Sequence, residues 1–207
     1  MGPMLMTGLA VFGATIALGL IASNTPRSTG PTRDPASPRG LAIILMAIAL
    51  GIAVLGVVVG LLAIFRGETS DPSSGLLATG PAVAGAILGL GLIVRRVGNT
   101  DPTATAYGVA NIIGQGVLGA VVAVLAVLVV EEGTGKPADW PFVILGLASA
   151  AAALGIGLTG ARSLQALAGA DESTAKAIRA RQISRCLLFQ AVGVGASVVA
   201  ILLVELA

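Results

Sequence analysis

Histidine is absent from this 207-residue chain, and cysteine occurs once, at Cys186. A zinc cluster, or a haem held through histidine, therefore has no ligands here, and one chain cannot form an internal disulfide. We expect neither a bound metal nor a cofactor. We interpret Cys186 as a small apolar residue that fills space at the entrance of a helix.

Charge and aromatic residues are also scarce. Charged residues make up 11% of the chain and aromatic residues 3%, whereas 56% of its residues are hydrophobic and its mean hydropathy is +0.98. This balance excludes an ordinary soluble domain and is typical of an integral membrane protein, with the lipid bilayer as its surroundings. The net charge of +2 is too small to indicate a nucleic-acid partner.

Catalytic patterns are missing as well. The chain has no His, no pair of Cys, no phosphate-binding loop and no pair of carboxylates within one apolar run. Glycine-containing stretches such as GLGLIV and GVGAS lie inside apolar runs, where glycine serves helix packing rather than nucleotide binding. We therefore expect that the protein is not an enzyme.

Six apolar runs are each long enough, at about 20 residues, to cross a bilayer as a helix. They cover residues 3–22, 40–65, 75–94, 107–130, 140–161 and 186–204. The first run has no basic residue before Arg27, so it lacks the basic start of a signal peptide and is taken as a mature span. The predicted fold is an all-α integral membrane protein of six transmembrane helices, arranged as three tandem helical hairpins over 1–70, 71–136 and 137–207.

Basic residues are concentrated in the odd-numbered connections between these runs. Those connections hold ten of them, against Arg66 and Lys136 in the even-numbered ones. The ten are Arg27, Arg33, Arg39, Arg95, Arg96, Arg162, Lys176, Arg179, Arg181 and Arg185. Because basic residues stay on the cytoplasmic side, the pattern predicts cytoplasmic odd connections and both termini outside, in a periplasm or lumen.

The most polar connection, residues 162–185, lies between the last two apolar runs. We expect it to continue both helices beyond the bilayer, with a turn at residues 171–173. In the simplest interpretation its basic residues fix the topology. Alternatively, they contact a soluble partner or anionic lipid headgroups. The basic residues concerned are Arg162, Lys176, Arg179, Arg181 and Arg185.

The three predicted hairpins share a sequence pattern. Their first helices contain GLAVFGATIALGL from Gly8, GPAVAGAILGLGL from Gly80 and GLASAAAALGIGL from Gly146. Each places small residues at helical spacing, which permits the close backbone approach that holds membrane helices together. The pattern predicts tightly packed first helices beside bulkier second helices.

Amide side chains mark the second helices. The repeat register sets Ala47, Gln115 and Gln190 at equal depth, and Asn111 lies one turn before Gln115 on the same helical face. A buried amide within a span needs a hydrogen-bond partner, and its ordinary role is to bond a carbonyl or hydroxyl group of the adjacent helix. The alternative for Asn111, Gln115 and Gln190 is that their oxygens form part of an ion site.

The third hairpin, ALGIGLTGARSLQALAG followed by FQAVGVGASVVAILLV, resembles subunit c of rotary ATPases, the proteolipid family. The second hairpin, GAILGLGLIVRR to GQGVLGAVVAVLAVLVV, resembles it too, and the first does so faintly. The resemblance implies three fused hairpins in a ring, with the glycine-rich helices on the inner radius. It also implies that Gln115 and Gln190 occupy the ion-binding position of that family, with Ala47 in the first hairpin.

The chain departs from that family at the ion-binding position, where subunit c carries an Asp or Glu that takes up and releases the transported ion. No acidic residue lies inside any of the six runs, and glutamine does not lose a proton near neutral pH. The resemblance thus implies a structural or adaptor subunit that oligomerises or packs with other membrane subunits, without pumping protons. Two alternatives stay open: a small six-helix transporter or channel, and a membrane anchor of a respiratory or secretory assembly.

Overall fold

The structure, a computed structural model, describes residues 2–27, 37–66, 74–128 and 139–206. Within them lie six α-helices, each with a stretch long and apolar enough to cross a membrane. The helices are α1 (Gly2–Ser23), α2 (Pro38–Phe65), α3 (Ser74–Val94), α4 (Pro102–Leu128), α5 (Asp139–Leu167) and α6 (Glu172–Leu206). The predicted all-α membrane fold is confirmed.

Helix α4 begins five residues before the predicted span, at Pro102 instead of residue 107. The reason is a cap: Asp101 Oδ1 accepts hydrogen bonds from the backbone N–H groups of Thr103 and Ala104, both at 3.0 Å. Proline is well suited to the first position of a helix, where its missing N–H costs nothing. Helix α2 begins in a similar way. Ser37 Oγ accepts a hydrogen bond from the Gly40 N–H at 3.0 Å, and a proline, Pro38, again occupies the first helical position.

Helices α5 and α6 extend beyond the predicted spans, to Leu167 and from Glu172. Both helices thus continue beyond the predicted apolar runs, as expected, but the turn covers residues 168–171 rather than 171–173. The predicted domain boundaries after residues 70 and 136 lie outside the described residues.

Helix α1 is the centre of the bundle. It packs against α2, α3, α4 and α5, and none of its residues is more than partly exposed. The packed helix pairs define two layers, with α3, α1 and α5 side by side in the first and α4, α2 and α6 in the second. Each hairpin places one helix in each layer. The hairpin α1–α2 lies between α3–α4 and α5–α6.

The contact between α1 and α3 brings main chain against main chain. A Cβ placed on Gly8 would lie 2.8 Å from the carbonyl oxygen of Ala78, and one placed on Gly19 would lie 2.7 Å from Cα of Gly89. Only residues without side chains permit this approach. We call the contacting side of α1 face A and that of α3 face B. Face A of α1 consists of Gly8, Phe12, Thr15 and Gly19, and face B of α3 of Ala78, Gly85 and Gly89.

The contact between α1 and α5 repeats this arrangement on the other side of α1. A Cβ placed on Gly13 would lie 2.6 Å from Cα of Ala150, and one placed on Gly157 would lie 2.7 Å from Cα of Ala17. Here α1 contributes face B, and α5 contributes face A. Face B of α1 consists of Met6, Gly13 and Ala17, and face A of α5 of Gly146, Ala150 and Gly157.

Both contacts join the same positions of the sequence repeat. When Gly8, Gly80 and Gly146 are each counted as position 0, position 0 meets position −2, position 4 meets position 5, and position 11 meets position 9. Faces A and B of α1 lie about 150° apart around a helix of 3.6 residues per turn. The first layer is therefore a row of three helices joined by one repeated step.

The second layer packs through side chains instead. Val122 Cγ1 of α4 lies 3.2 Å from the Cβ position of Gly60 on α2, and Ile52 Cδ1 of α2 lies 2.9 Å from that of Gly193 on α6. Side chains hold helices further apart than touching main chains do. The helices of the first layer therefore lie closer together than those of the second.

Candidate functional site

Two of the predicted ion-site residues, Asn111 and Gln115, lie on α4. Gln115 is 4% exposed, and its Oε1 has no hydrogen-bond partner among the described residues. Asn111 is half-buried, and its Nδ2 donates to the carbonyl oxygen of Tyr107, one turn earlier on the same helix, at 2.8 Å. The Asn111 amide thus serves its own helix and does not pair with Gln115.

The three positions that the repeat sets at equal depth have different surroundings. Gln115 is buried, Gln190 on α6 is partly buried, and Ala47 on α2 is exposed. An amide oxygen accepts a hydrogen bond or ligates a cation, but it carries no charge that a proton or sodium ion would cancel. These positions therefore supply an oxygen ligand at two places and a methyl group at the third.

A different glutamine, Gln182, makes the interhelical hydrogen bonds expected of a buried amide. It lies on α6, is 1% exposed, and has its side-chain amide 2.8 Å from Ser163 Oγ and 3.0 Å from Thr159 Oγ1 on α5. Sequence reasoning missed this residue because it stands in the basic connection. A signal was present, since Gln182 shares a helical face with Cys186 and Gly193, which are also buried.

One end of the bundle gathers the three odd-numbered connections. Asn24, which follows α1, has its Oδ1 within 2.7 Å of an Arg96 guanidinium nitrogen and 2.6 Å of Gln165 Nε2. Arg27 donates to the carbonyl oxygen of Gly98. The described basic residues other than Arg66 are thereby collected at this end, whereas Arg33 lies outside the described residues.

At the same end, Arg39 and Asp101 form a buried ion pair. The Arg39 side chain is 10% exposed and the Asp101 side chain 0%; Arg39 Nε lies 2.9 Å and its NH2 group 2.7 Å from Asp101 Oδ2. The pair joins the start of α2 to the start of α4. Sequence reasoning assigned Arg39 to topology alone, and the Asp-Pro-Thr start of α4 indicated a helix cap but not its partner 62 residues away.

At the opposite end, an exposed ion pair joins two helices of the second layer. Arg66, which follows α2, pairs with Glu205 near the end of α6, with side chains 54% and 39% exposed. Both members remain largely in contact with solvent. This pair therefore contributes less to stability than the buried one.

The basic segment of the last hairpin lines a cavity of about 420 Å³ between α5 and α6. Arg162, Arg181 and Arg185 lie on it, together with Thr159 and the buried amide of Gln182 described above. All three arginines are exposed, and none of them forms an ion pair with a described carboxylate. The cavity thus places three guanidinium groups beside hydroxyl and amide groups, and guanidinium groups are common partners of phosphate.

The other two predicted contact residues are not part of this cavity. Lys176 is exposed, and Arg179 is half-buried with its Nε buried and without a hydrogen-bond partner among the described residues. The sequence placed five basic residues in one group, and the structure brings three of them together.

Asp171 caps the start of α6. Hydrogen bonds from the side chain and backbone N–H of Thr174, and then from the Ser173 hydroxyl, hold the pKa of Asp171 below its ordinary value. The backbone N–H of Thr174 lies 3.1 Å from Oδ1, and Ser173 Oγ lies 3.0 Å from Oδ2. Because the folded pKa is lowered, the cap is fully formed above the ordinary carboxyl pKa and is lost as the pH falls through the lowered value.

Comparison of the chain with protein-family models, with curated proteins and with solved structures finds no match in any of the three.

Proposed function

We propose that the protein is a structural, proteolipid-like membrane subunit that self-associates, most simply as a ring. The observation that carries this proposal is the step between faces A and B, which joins α3 to α1 and α1 to α5 through the same repeat positions. A contact that the chain uses twice internally is one that further copies can extend. The closer packing of the first layer supports a ring with α3, α1 and α5 on the inner radius.

The distribution of carboxylates supports a role other than proton pumping. Asp101, just ahead of α4, is held by Arg39 at one end of the bundle, and Glu205 pairs with Arg66 at the other end. Glu172 begins α6 beyond the apolar stretch. In the part of the chain that the structure describes, the spans offer amides at mid-depth, and a carrier whose charge is cancelled by its ion needs an acid there.

A transporter or channel acting alone is the second candidate, and a membrane anchor of a larger assembly is the third. A solute site at the midplane is normally built at breaks in the helices. Helix α3 continues through Pro81, and the cavity between α5 and α6 lies at the end of the bundle with the odd-numbered connections. These observations favour the structural role. An anchor has the same membrane physics and differs in having other proteins as partners.

The basic end of the bundle supports a cytoplasmic position for the odd-numbered connections. We assign the cavity lined by Arg162, Arg181 and Arg185 to the phosphate of an anionic lipid headgroup, since it opens where α5 and α6 leave the apolar region. A soluble acidic partner on the same connections is the alternative to the lipid.

The test is the mass of the particle, measured by native mass spectrometry after extraction in a mild detergent, together with proton flux in proteoliposomes. We expect a multiple of the chain mass and no flux above that of empty vesicles. A single chain that conducts protons or sodium would contradict the proposal and favour the transporter. A particle containing other proteins in fixed ratio would favour the anchor.

A further inference from the structure

We infer that a second copy of this chain docks on face A of α3 and presents to it face B of its own α5. This inference rests on the proposed self-association and specifies the surface that would produce it. It follows from a comparison of α1, α3 and α5, which shows where faces A and B are covered by another helix of the same chain and where they are not.

Face A is filled on two of the three first helices. On α1 it is covered by α3, and on α5 it is covered by α1. On α3 the equivalent positions are all exposed, and a Cβ placed on Gly80 or Gly91 would have no atom within 4 Å. Face A of α3 consists of Gly80, Ala84, Ile87 and Gly91. The chain thus carries one unfilled copy of a surface that it fills twice with main-chain contacts.

Face B has one unfilled copy as well, on α5. Its members are Ile144, Ala151 and Gly155, of which Ile144 is 63% exposed and Ala151 is exposed. Ala151 carries a methyl group where the filled copies have Gly13 and Gly85, so α3 and α5 of neighbouring copies would lie slightly further apart at this point than the helices within one chain. Gly155 is covered by the ring of Phe189 from α6, whose Cε1 lies 2.6 Å from the Cβ position of Gly155. Docking requires this ring to turn aside, which is a side-chain movement and leaves the backbone of α5 unchanged.

The surface that docks on face A of α3 must be a face B, because each of the two filled copies of face A is covered by a face B. Within one chain, the copies of face B on α3 and α1 are already used, so the copy on α5 of another chain remains. The repeat positions then predict three contacts between copies. Gly80 meets Ile144, Ala84 meets Ala151, and Gly91 meets Gly155 of the second copy.

The contact joins different surfaces of the two copies, so it is head to tail. Such a contact closes into a ring when the rotation per copy allows and otherwise continues as a filament. The closer packing of α3, α1 and α5 favours a curvature with these helices on its inner side, so that each added copy turns in the same direction and the ring can close.

Disulfide cross-linking in native membranes tests the predicted contact. In a Cys186→Ala background, Ala84→Cys and Ala151→Cys on the same chain should give a ladder of cross-linked multimers on oxidation. When chains carrying Ala84→Cys alone are co-expressed with chains carrying Ala151→Cys alone, dimers should form, whereas either chain alone should give none. An internal pair, Ala86→Cys on α3 with Gly116→Cys on α4, whose Cβ positions lie 3.6 Å apart, should cross-link within one chain and checks that the background is folded and oxidised.

A matched control uses the exposed side of α2, where Ala47→Cys with Ala151→Cys should give no ladder. Cross-linking of Ala84→Cys chains with one another would overturn the head-to-tail arrangement. A multimeric particle without the Ala84–Ala151 ladder would overturn this inference and leave the proposed function standing, whereas a single-chain particle would overturn both.

A second pair of variants separates assembly from folding. Gly91→Leu fills the open face of α3, and Gly51→Leu fills an equally open position on α2, since neither glycine has an atom within 4 Å of its Cβ position. Both variants should keep the melting temperature of the single chain, and only Gly91→Leu should reduce the particle to single chains. Retention of the multimer by Gly91→Leu would overturn the inference.

Discussion

Arg39 and Asp101 carry opposite charges at a place where neither has free access to water. Their attraction offsets the cost of removing both charges from solvent, and the Asp101 carboxylate also caps α4. An isolated charge at such a site costs about 3–5 kcal/mol when its partner is removed. The pair therefore sets how the start of α4 sits against the start of α2, more than it adds net stability.

Asp101→Asn tests this interpretation because it keeps Oδ1 as an acceptor for the cap and removes only the charge. We expect the free energy of unfolding in detergent to fall by about 3 kcal/mol or more, since Arg39 stays buried without the Asp101 charge. The double variant Arg39→Met/Asp101→Asn should recover most of this loss. Glu205→Gln, in the exposed pair with Arg66, should cost at most about 1 kcal/mol. An equal loss in both single variants would contradict the argument.

The guanidinium groups of Arg162 and Arg181 are predicted to hold an anionic phospholipid in the cavity between α5 and α6. Each basic residue near an anionic surface contributes about 1 kcal/mol, so Arg162→Gln/Arg181→Gln should weaken binding by about 2 kcal/mol, or more than tenfold. Native mass spectrometry of the purified protein with added phosphatidylglycerol measures the loss.

The control for that experiment, Arg95→Gln/Lys176→Gln, removes the same charge from exposed residues outside this cavity. Equal weakening by both double variants would show a general surface charge effect in place of a site. Competition by millimolar inorganic phosphate would indicate a phosphate site without a requirement for the lipid chains.

Among the helices, the first layer depends on glycine to a degree that the second does not. Gly13→Leu would drive a side chain into the main chain of Ala150, whereas Gly114→Leu points into open space on the outer side of α4. Overpacking in a core typically costs about 1–3 kcal/mol. We expect Gly13→Leu to lower the free energy of unfolding by more than this, because main chain cannot move aside as a side chain does. Gly114→Leu should leave it nearly unchanged. Unfolding in increasing SDS, followed by circular dichroism, compares the two.

The existence and type of all six helices could be predicted from hydropathy, because a bilayer sets a minimum apolar length. The order of the hairpins in space could not. Every residue of α1 from Met4 to Ala22 is apolar or small except Thr7 and Thr15, so no polar side distinguishes its protein-facing surfaces. The repeat identified equivalent residues, but the assignment of faces A and B needed the contacts themselves.

The candidate site, too, could be predicted from the sequence only in part. Three of the five basic residues of the last hairpin meet at one cavity because Arg181 and Arg185 are one helical turn apart and Arg162 lies opposite them on α5. The pairing of Gln182 with Ser163 and Thr159 was missed because hydropathy does not show which side of a polar helical segment packs against its neighbour. The roles of Gln115 and Gln190 in ion binding remain predictions.

For the whole molecule, we predict the orientation in the membrane from the end that carries the basic residues, which we expect on the cytoplasmic side. In a Cys186→Ala background, Gly169→Cys in the turn between α5 and α6 should react with a membrane-impermeant maleimide only after the cells are opened. Phe65→Cys, exposed at the opposite end, should react on intact cells. The reverse pattern would show that the protein is inserted with its basic end outside.

The central place of α1 also bears on the order of synthesis. The ribosome delivers the hairpin α1–α2 to the membrane before the other two hairpins, yet both faces of α1 are completed by helices made later, α3 on one side and α5 on the other. Helix α1 thus has its glycine surfaces against lipid until α3 and α5 have been inserted. If translation stalled between α4 and α5, face B of α1 in the nascent chain would still be uncovered.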